Sequence, residues 1–235
     1  MYEAEVRYQD RRLGEFLALL RERTDFDNTL LIISADHGEN LGAGGRWEHT
    51  HAINDALIHV PLIIRFPKRF PRGTRVSGLC QNIDFVPTIY DVIGHDCPVT
   101  GLPGRSLVPE NFTPYQAAFA QVSPYYMDFG VIETTTGFEA GLRKFNTHRR
   151  VLRTGDYKYI WSSDGKHCLY NVRNDPQETV NLVARKPELA QRLHQQLLDW
   201  LDAQPKYVPK KNDRPRVPLD DKTINRLRSL GYIGD

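Results

Sequence analysis

Apolar residues along this chain follow three different spacings, and each predicts an element. In residues 3–23, Ala4, Val6, Leu13, Phe16, Leu17 and Leu20 recur at helical intervals among charged residues, the stripe of an amphipathic helix that lies on something apolar. After the polar "TDFDN", the run "TLLIISA" is apolar at consecutive positions, which predicts a strand of a parallel sheet covered by helices on both faces. "HVPLIIRF", residues 59–66, predicts a second buried strand, and "TRVSGLCQNI", residues 74–83, a third. In "DFVPTIYDVIG", Asp84 stands as N-cap, Pro87 in the first turn, Ile89, Val92 and Ile93 as the apolar face and Gly94 as the stop, so a short helix is expected. Helices alternating with buried strands read as α/β.

From Pro98 to Pro114 glycine and proline interrupt the pattern and mark a boundary. Beyond it, "HRRVLRTGDYKYIWSS" and "KHCLYNV" read as two strands around the polar "SSDGK" turn, a hairpin of an antiparallel sheet. Tyr157, Tyr159, Trp161 and Tyr170 alternate there and are read as cross-strand packing. "PELAQRLHQQLLDWLD", residues 187–202, opens with Pro187 and carries Leu189, Leu193, Leu197 and Trp200 or Leu201 at helical spacing, a helix for that sheet. "PKYVPKKNDRPRVPLDD" reads as a solvated surface arm. The expected organisation is an α/β part over residues 1–108 and a smaller α+β part over residues 109–235, with an extended tail.

Composition changes this picture little. A chain of 235 residues with 40% hydrophobic content can build a core. Lys plus Arg number 31 against 29 Asp plus Glu, a net charge of +2, so electrostatics points to neither nucleic acid nor an anionic membrane as partner. The runs Leu30 to Ile33 and Val60 to Ile64 are too short to cross a bilayer, and no signal core precedes them. Cys80, Cys97 and Cys168 are odd in number and lack C-x-x-C spacing, so they read as space-filling thiols.

Chemistry concentrates where the first buried strand stops. Ligands of α/β sheets bind beyond the carboxyl ends of strands, and TLLIISA ends at Asp36 and His37. Neighbouring strand residues point to opposite faces, so both can serve one site only if the chain turns, which Gly38 permits. A carboxylate beside an imidazole suits zinc, manganese, calcium or a related divalent cation. The loop "GENLGAGGRWEHTHAIND" adds His49, His51, Glu39 and Glu48, and either histidine could reach back toward Asp36. His59, at the start of a buried strand, is read as a structural hydrogen bonder.

The order of these stretches resembles the C-terminal half of the sulfatases of the alkaline phosphatase superfamily. It runs "YEAEVRYQDRRLGEFLALL", "NTLLIISADHGENLG", "HTHAINDALIHVPLIIRFP", "IDFVPTIYDVIG", "LRTGDYKYI", "LYNVRNDPQETVNL" and "LRSLGYIGD", and so covers nearly the whole chain. The resemblance implies a truncated sulfatase-like parallel sheet with helices, plus a small C-terminal α+β subdomain with an antiparallel sheet. It implies a metal-dependent sulfuric ester hydrolase acting on a sulfated small molecule or glycan. Asp36 and His37 match the family's second pair of metal ligands, for one divalent cation, calcium first by family, with manganese, magnesium or zinc as alternatives. His51, or secondly His49, matches the region that supplies a basic group to the ester oxygen; Asn54 stands where a tyrosine is usual. Asp84 and Pro87 match a structural stretch.

The family's nucleophile is a formylglycine made in a C/S-x-P-x-R motif. Here Cys80 precedes "QNI", Cys97 "PVT" and Ser123 "PYY", so that motif is absent, and so is the first metal-binding Asp pair. The chain is therefore expected to hold half a site and to need a partner supplying the missing N-terminal half to cover its apolar face. Two other readings stand beside this one: phosphate or phosphonate ester hydrolysis on the same half-site, and a non-catalytic module or gene fragment.

Overall fold

The computed structural model describes residues 2–42, 45, 47–49, 52–98, 101–123 and 147–204. Residues 1–199 form one compact unit and residues 200–235 a second. The last of the seven family-like stretches and the charged Pro-rich arm lie outside the described residues.

Helix α1, Tyr2–Arg21, has Glu3 and Glu5 in its first turn and Arg21 in its last, each on the side the helix dipole favours. Its apolar stripe forms as the spacing predicts, yet none of its residues is buried. Phe16 is 51% and Leu19 65% exposed. Strand β1, Leu31–Ser34, follows. After the short strands β2 (Asn40–Leu41) and β3 (Trp47–Glu48), the single-turn helix α2, Asp55–Ile58, leads into β4, Leu62–Arg65.

The two buried-type strands pair antiparallel, Leu31 opposite Arg65 and Ser34 opposite Leu62, which corrects the parallel pairing expected between them. Consecutive apolar residues report burial on two faces and carry no information on direction. Direction is set here by the intervening loop and α2, which return the chain beside the end of β1. The third expected strand, residues 74–83, is not one: it makes a single bridge, Leu79 to Tyr115. Gly78 lies so close to Pro114 that a Cβ would stand 2.5 Å from its ring, and the chain then enters a 3-10 turn at Asn82–Asp84.

Helix α3, Phe85–Ile93, ends where expected, with Gly94 in the left-handed region at φ 70°. Asp84 holds the N-cap position without capping α3 through its side chain. Its fully buried carboxylate instead accepts from Gln81 N at 2.7 Å, Arg105 N at 2.9 Å and Tyr115 Oη at 2.7 Å. It thereby pins the start of α3 to the Gly/Pro-rich stretch.

The remainder of the first unit is built on a four-stranded antiparallel sheet in the order β5 (Ala118–Val122), β6 (Arg149–Arg153), β7 (Tyr157–Ser162) and β8 (Cys168–Asn171). "HRRVLRTGDYKYIWSS", read above as one strand, contains two, joined by a tight turn that Thr154 N closes on Tyr157 O at 2.8 Å. β5 was not expected at all, because "AFAQV" carries no strong strand pattern. Val151, Ile160, Tyr170 and Val172 form a buried cluster that takes in Ile53, so the core crosses residue 108. Helix α4, Pro187–Ala203, buries Ala190, Leu193 and Leu197.

Beside α4, His194 Nδ1 meets Tyr159 Oη at 2.9 Å, and His167 lies 5.7 Å from His194, ring to ring. Ser162 N–H donates to His167 Nδ1 at 3.2 Å, a bond only an unprotonated Nδ1 can accept. Burial first and His194 second hold the His167 pKa below its ordinary value, against the opposing pull of Asp164. A depressed imidazole pKa means that the unfolded chain binds the proton more readily, so stability rises with pH up to the ordinary value near 6.5. The urea midpoint is therefore expected to be higher at pH 8 than at pH 5.5, and the difference to shrink in His167→Gln.

Candidate functional site

β1 carries the chain to Ser34, whose hydroxyl donates to Pro61 O at 2.9 Å, and Asn82 Nδ2 donates to Ala35 O at 3.3 Å. The strand end is thus held from two sides before Asp36 and His37 emerge. The turn that follows depends on Gly38. Its N–H donates to Leu57 O at 2.8 Å, and a Cβ at this position would stand 2.0 Å from Ala56 O. α2 is therefore seated against a backbone that only glycine leaves bare. His59 ends α2 through its backbone N–H on Asp55 O.

Asp36 is solvent-facing, its side chain 89% exposed. Its Oδ1 accepts from His37 N at 2.9 Å. That bond, then its own backbone N–H and the His37 charge, hold its carboxyl below the usual range, so it is a ready anion. His37 Nδ1 lies 2.9 Å from Gly38 O. A carbonyl accepts only, so Nδ1 carries the hydrogen and the lone pair of the neutral ring sits on Nε2. Nε2 in turn lies 3.9 Å from Asp36 Oδ2.

The β2–β3 ladder, Asn40 opposite Glu48 and Leu41 opposite Trp47, folds the loop back and brings His49 beside its start. The His49 ring stacks on His37 with centroids 4.4 Å apart and planes at 23°, and His49 Nδ1 lies 3.1 Å from Glu39 Oε2. Asp36, His37, Glu39 and His49 are thus gathered in one place; the sequence left open whether His49 or His51 reaches back toward Asp36. His51, the first choice for the group beside the ester oxygen, lies outside the described residues. The sequence reading missed Asn40 as a partner of Asn54: Asn54 Nδ2 donates to Asn40 Oδ1 at 2.7 Å inside the fold, and Asn40 is 2% exposed. Two asparagines flanking a Gly-rich loop were the available signal.

Among the described residues no group of three or more His, Cys, Asp and Glu is placed to hold a metal ion. The two donors at the strand end do fit one. A carboxylate oxygen and an imidazole lone pair 3.9 Å apart can share a cation whose ligand bonds are about 2.0–2.5 Å. An Nδ1–H tied to a backbone carbonyl is the support that metal-binding imidazoles use. Two ligands leave most of a coordination sphere to other groups.

Residues 1–95 match the family model "Sulfatase". Arylsulfatase K of Bos taurus is 30% identical over 201 residues, which are 83% of this chain and 35% of the relative. The N-acetylglucosamine-6-O-sulfatase of Bacteroides thetaiotaomicron is 29% identical over 87% of this chain and 36% of its own length. Among solved structures, the phosphonate monoester hydrolase of Agrobacterium radiobacter superposes with a TM-score of 0.68 at 27% identity, over 82% of this chain and 39% of that one. The chain thus spans about a third of the length of the curated relatives it matches.

Proposed function

This chain corresponds to a C-terminal portion of the sulfatases, and on that premise we propose that it carries the Asp-His half of the metal site of a sulfuric ester hydrolase. The observation that supports this most is the convergence of Asp36 Oδ2 and the His37 Nε2 lone pair just beyond the end of the half-buried β1. Asp36 and His37 would hold one divalent cation, calcium first, and such a cation when bound polarises the oxygens of the ester. His51 or His49 stands beside the leaving oxygen and delivers a proton to it; His49 is the one whose placement beside His37 is described. Since no Cys or Ser in the chain is followed by x-Pro-x-Arg, the nucleophile and the remaining ligands come from polypeptide outside this sequence, attached or separate. A sulfated amino sugar or related glycan is the substrate class that the N-acetylglucosamine-6-O-sulfatase relative suggests.

Calorimetric titration of the chain with calcium and with manganese tests the reading. Weak heat at most is expected from the chain alone, and clear heat from a protein carrying it together with its nucleophile segment, lost there in Asp36→Ala/His37→Ala. Equal binding by the double variant would sink the assignment. A second reading, phosphonate or phosphate ester hydrolysis, is favoured by the likeness to the phosphonate monoester hydrolase. Turnover of an aryl sulfate against an aryl phosphonate, in a protein carrying this chain together with its nucleophile segment, decides between them.

A further inference from the structure

We propose that Glu39 is a positioning residue that fixes which ring nitrogen His49 presents to the site; its role in the reaction rests on the reading above, in which His49 stands beside the ester. Among the described residues at the strand end, the two groups form the carboxylate–imidazole contact of hydrogen-bond length, Glu39 Oε2 to His49 Nδ1 at 3.1 Å, against 3.9 Å between Asp36 Oδ2 and His37 Nε2. A carboxylate accepts only, so Nδ1 bears the hydrogen and Nε2 carries the lone pair of the neutral ring. An isolated imidazole favours the opposite tautomer, with its hydrogen on Nε2, so an external group must hold this one.

An exposed ion pair would be a weak reason to assign a role, being worth about 0–1 kcal/mol. This pair differs in three respects. The Glu39 side chain is only 25% exposed while His49 is 50% exposed, so the carboxylate is the fixed member and the imidazole the presented one. Glu39 follows Gly38, pinned to Leu57 O, and precedes Asn40, which is buried and bound to Asn54 across the base of the loop, so its backbone is held on both sides. Its second oxygen, Oε1, is buried with no hydrogen-bond partner among the described residues, so no other donor draws the carboxylate away from His49.

The consequence is a pair of stacked imidazoles in the same tautomer: Gly38 O fixes it for His37 and Glu39 for His49. Both Nε2 atoms are then left to act on whatever occupies the site. For His49 this is the nitrogen that, once the ring has taken up a second proton there, would hand that proton over, and the neutral ring left afterwards is the tautomer Glu39 already holds, the logic by which a carboxylate orients a catalytic imidazole.

The test is a long-range proton–nitrogen correlation spectrum of the full chain labelled with 15N-histidine at pH 8, with His49 assigned through His49→Gln. His49 is expected as the Nδ1–H tautomer in the unaltered chain and in Glu39→Gln, which keeps an acceptor oxygen, and as mainly Nε2–H in Glu39→Ala. His37 is the internal control, since its tautomer is set by a backbone carbonyl and stays Nδ1–H while the turn is folded. Retention of the Nδ1–H form of His49 in Glu39→Ala overturns the proposal, and if the turn is disturbed there so that His37 also changes, the same retention in Glu39→Met, which keeps the length of the side chain without its acceptor, overturns it. So does an Nε2–H ring at His49 in the unaltered chain. The readout needs neither cation nor turnover, so failure of metal binding at Asp36 and His37 would count against the proposed function and leave this result standing.

Discussion

Lys158→Met is expected to destabilise the fold by about 3–5 kcal/mol, the cost of leaving buried charge without its partner. The Lys158 ammonium is fully buried and lies 2.8 Å from Asp55 Oδ1 and 2.9 Å from Glu178 Oε1. Asp55 and Glu178 are themselves only 14% and 2% exposed in their side chains. Arg153 reaches Asp55 at 3.4 Å, so one carboxylate keeps a cation when Lys158 is removed, whereas no other cation is described within ion-pair distance of Glu178. The unpaired Glu178 is what makes the loss large. Burial pushes the Asp55 carboxyl up, but Lys158 and then Arg153 outweigh it and hold its pKa below the ordinary value. Its share of stability is therefore present above the ordinary carboxylate range and is lost as pH falls through the lowered value. Urea unfolding at pH 7 checks the first effect. A change under about 1 kcal/mol would mean that the cluster is hydrated and not the tie between α2 and the sheet. Lys158→Met/Glu178→Gln should recover most of the loss, since Asp55 keeps Arg153 as its cation and removing Lys158 together with Glu178 also removes their desolvation.

Gly38→Ala is expected to be the second most damaging single change. The added methyl would meet Ala56 O at 2.0 Å and Ala56 C at 3.1 Å, both backbone atoms, which cannot step aside as a side-chain tip can. Relief requires the turn and α2 to separate, which breaks the 2.8 Å bond from Gly38 N to Leu57 O. Overpacking of this kind costs about 1–3 kcal/mol. The site should suffer more than the fold, because the Gly38 carbonyl that fixes the His37 ring moves with the turn. Amide exchange at Gly38 should accelerate at least tenfold, and the heat of cation binding proposed for Asp36 and His37 should vanish. Protected exchange at residue 38 in the alanine variant would show that the clash is absorbed elsewhere.

Much of this architecture was legible from local signals. The helical stripe of α1, the stop of α3 at Gly94 and the helix opened by Pro187 appear where spacing and capping place them, because those signals act within a few residues of the atoms they control. The end of β1 just before Asp36 and His37 was legible for the same reason, though the strand is half-buried and not covered on both faces as its apolar run implies. Most of the failures share a cause as well. The direction of β4, the loss of a strand at residues 74–83 and the unforeseen β5 depend on partners far away in the chain; the hairpin inside residues 148–163 is local and was missed because its turn at Thr154–Tyr157 was read as part of one strand.

The sequence by itself therefore determined the helices α1, α3 and α4, the strand that ends before Asp36 and the family likeness, since each is written in neighbouring residues. Only the tertiary structure decided that Glu39, not another acid of the loop, meets His49, that Asn40 joins Asn54, and that Lys158 is buried between Asp55 and Glu178. Those pairings span from 10 residues for Glu39 and His49 to 103 for Asp55 and Lys158. No local propensity encodes them. They follow from which groups the folded backbone buries together, where a polar atom left without a partner costs more than the pairing itself yields.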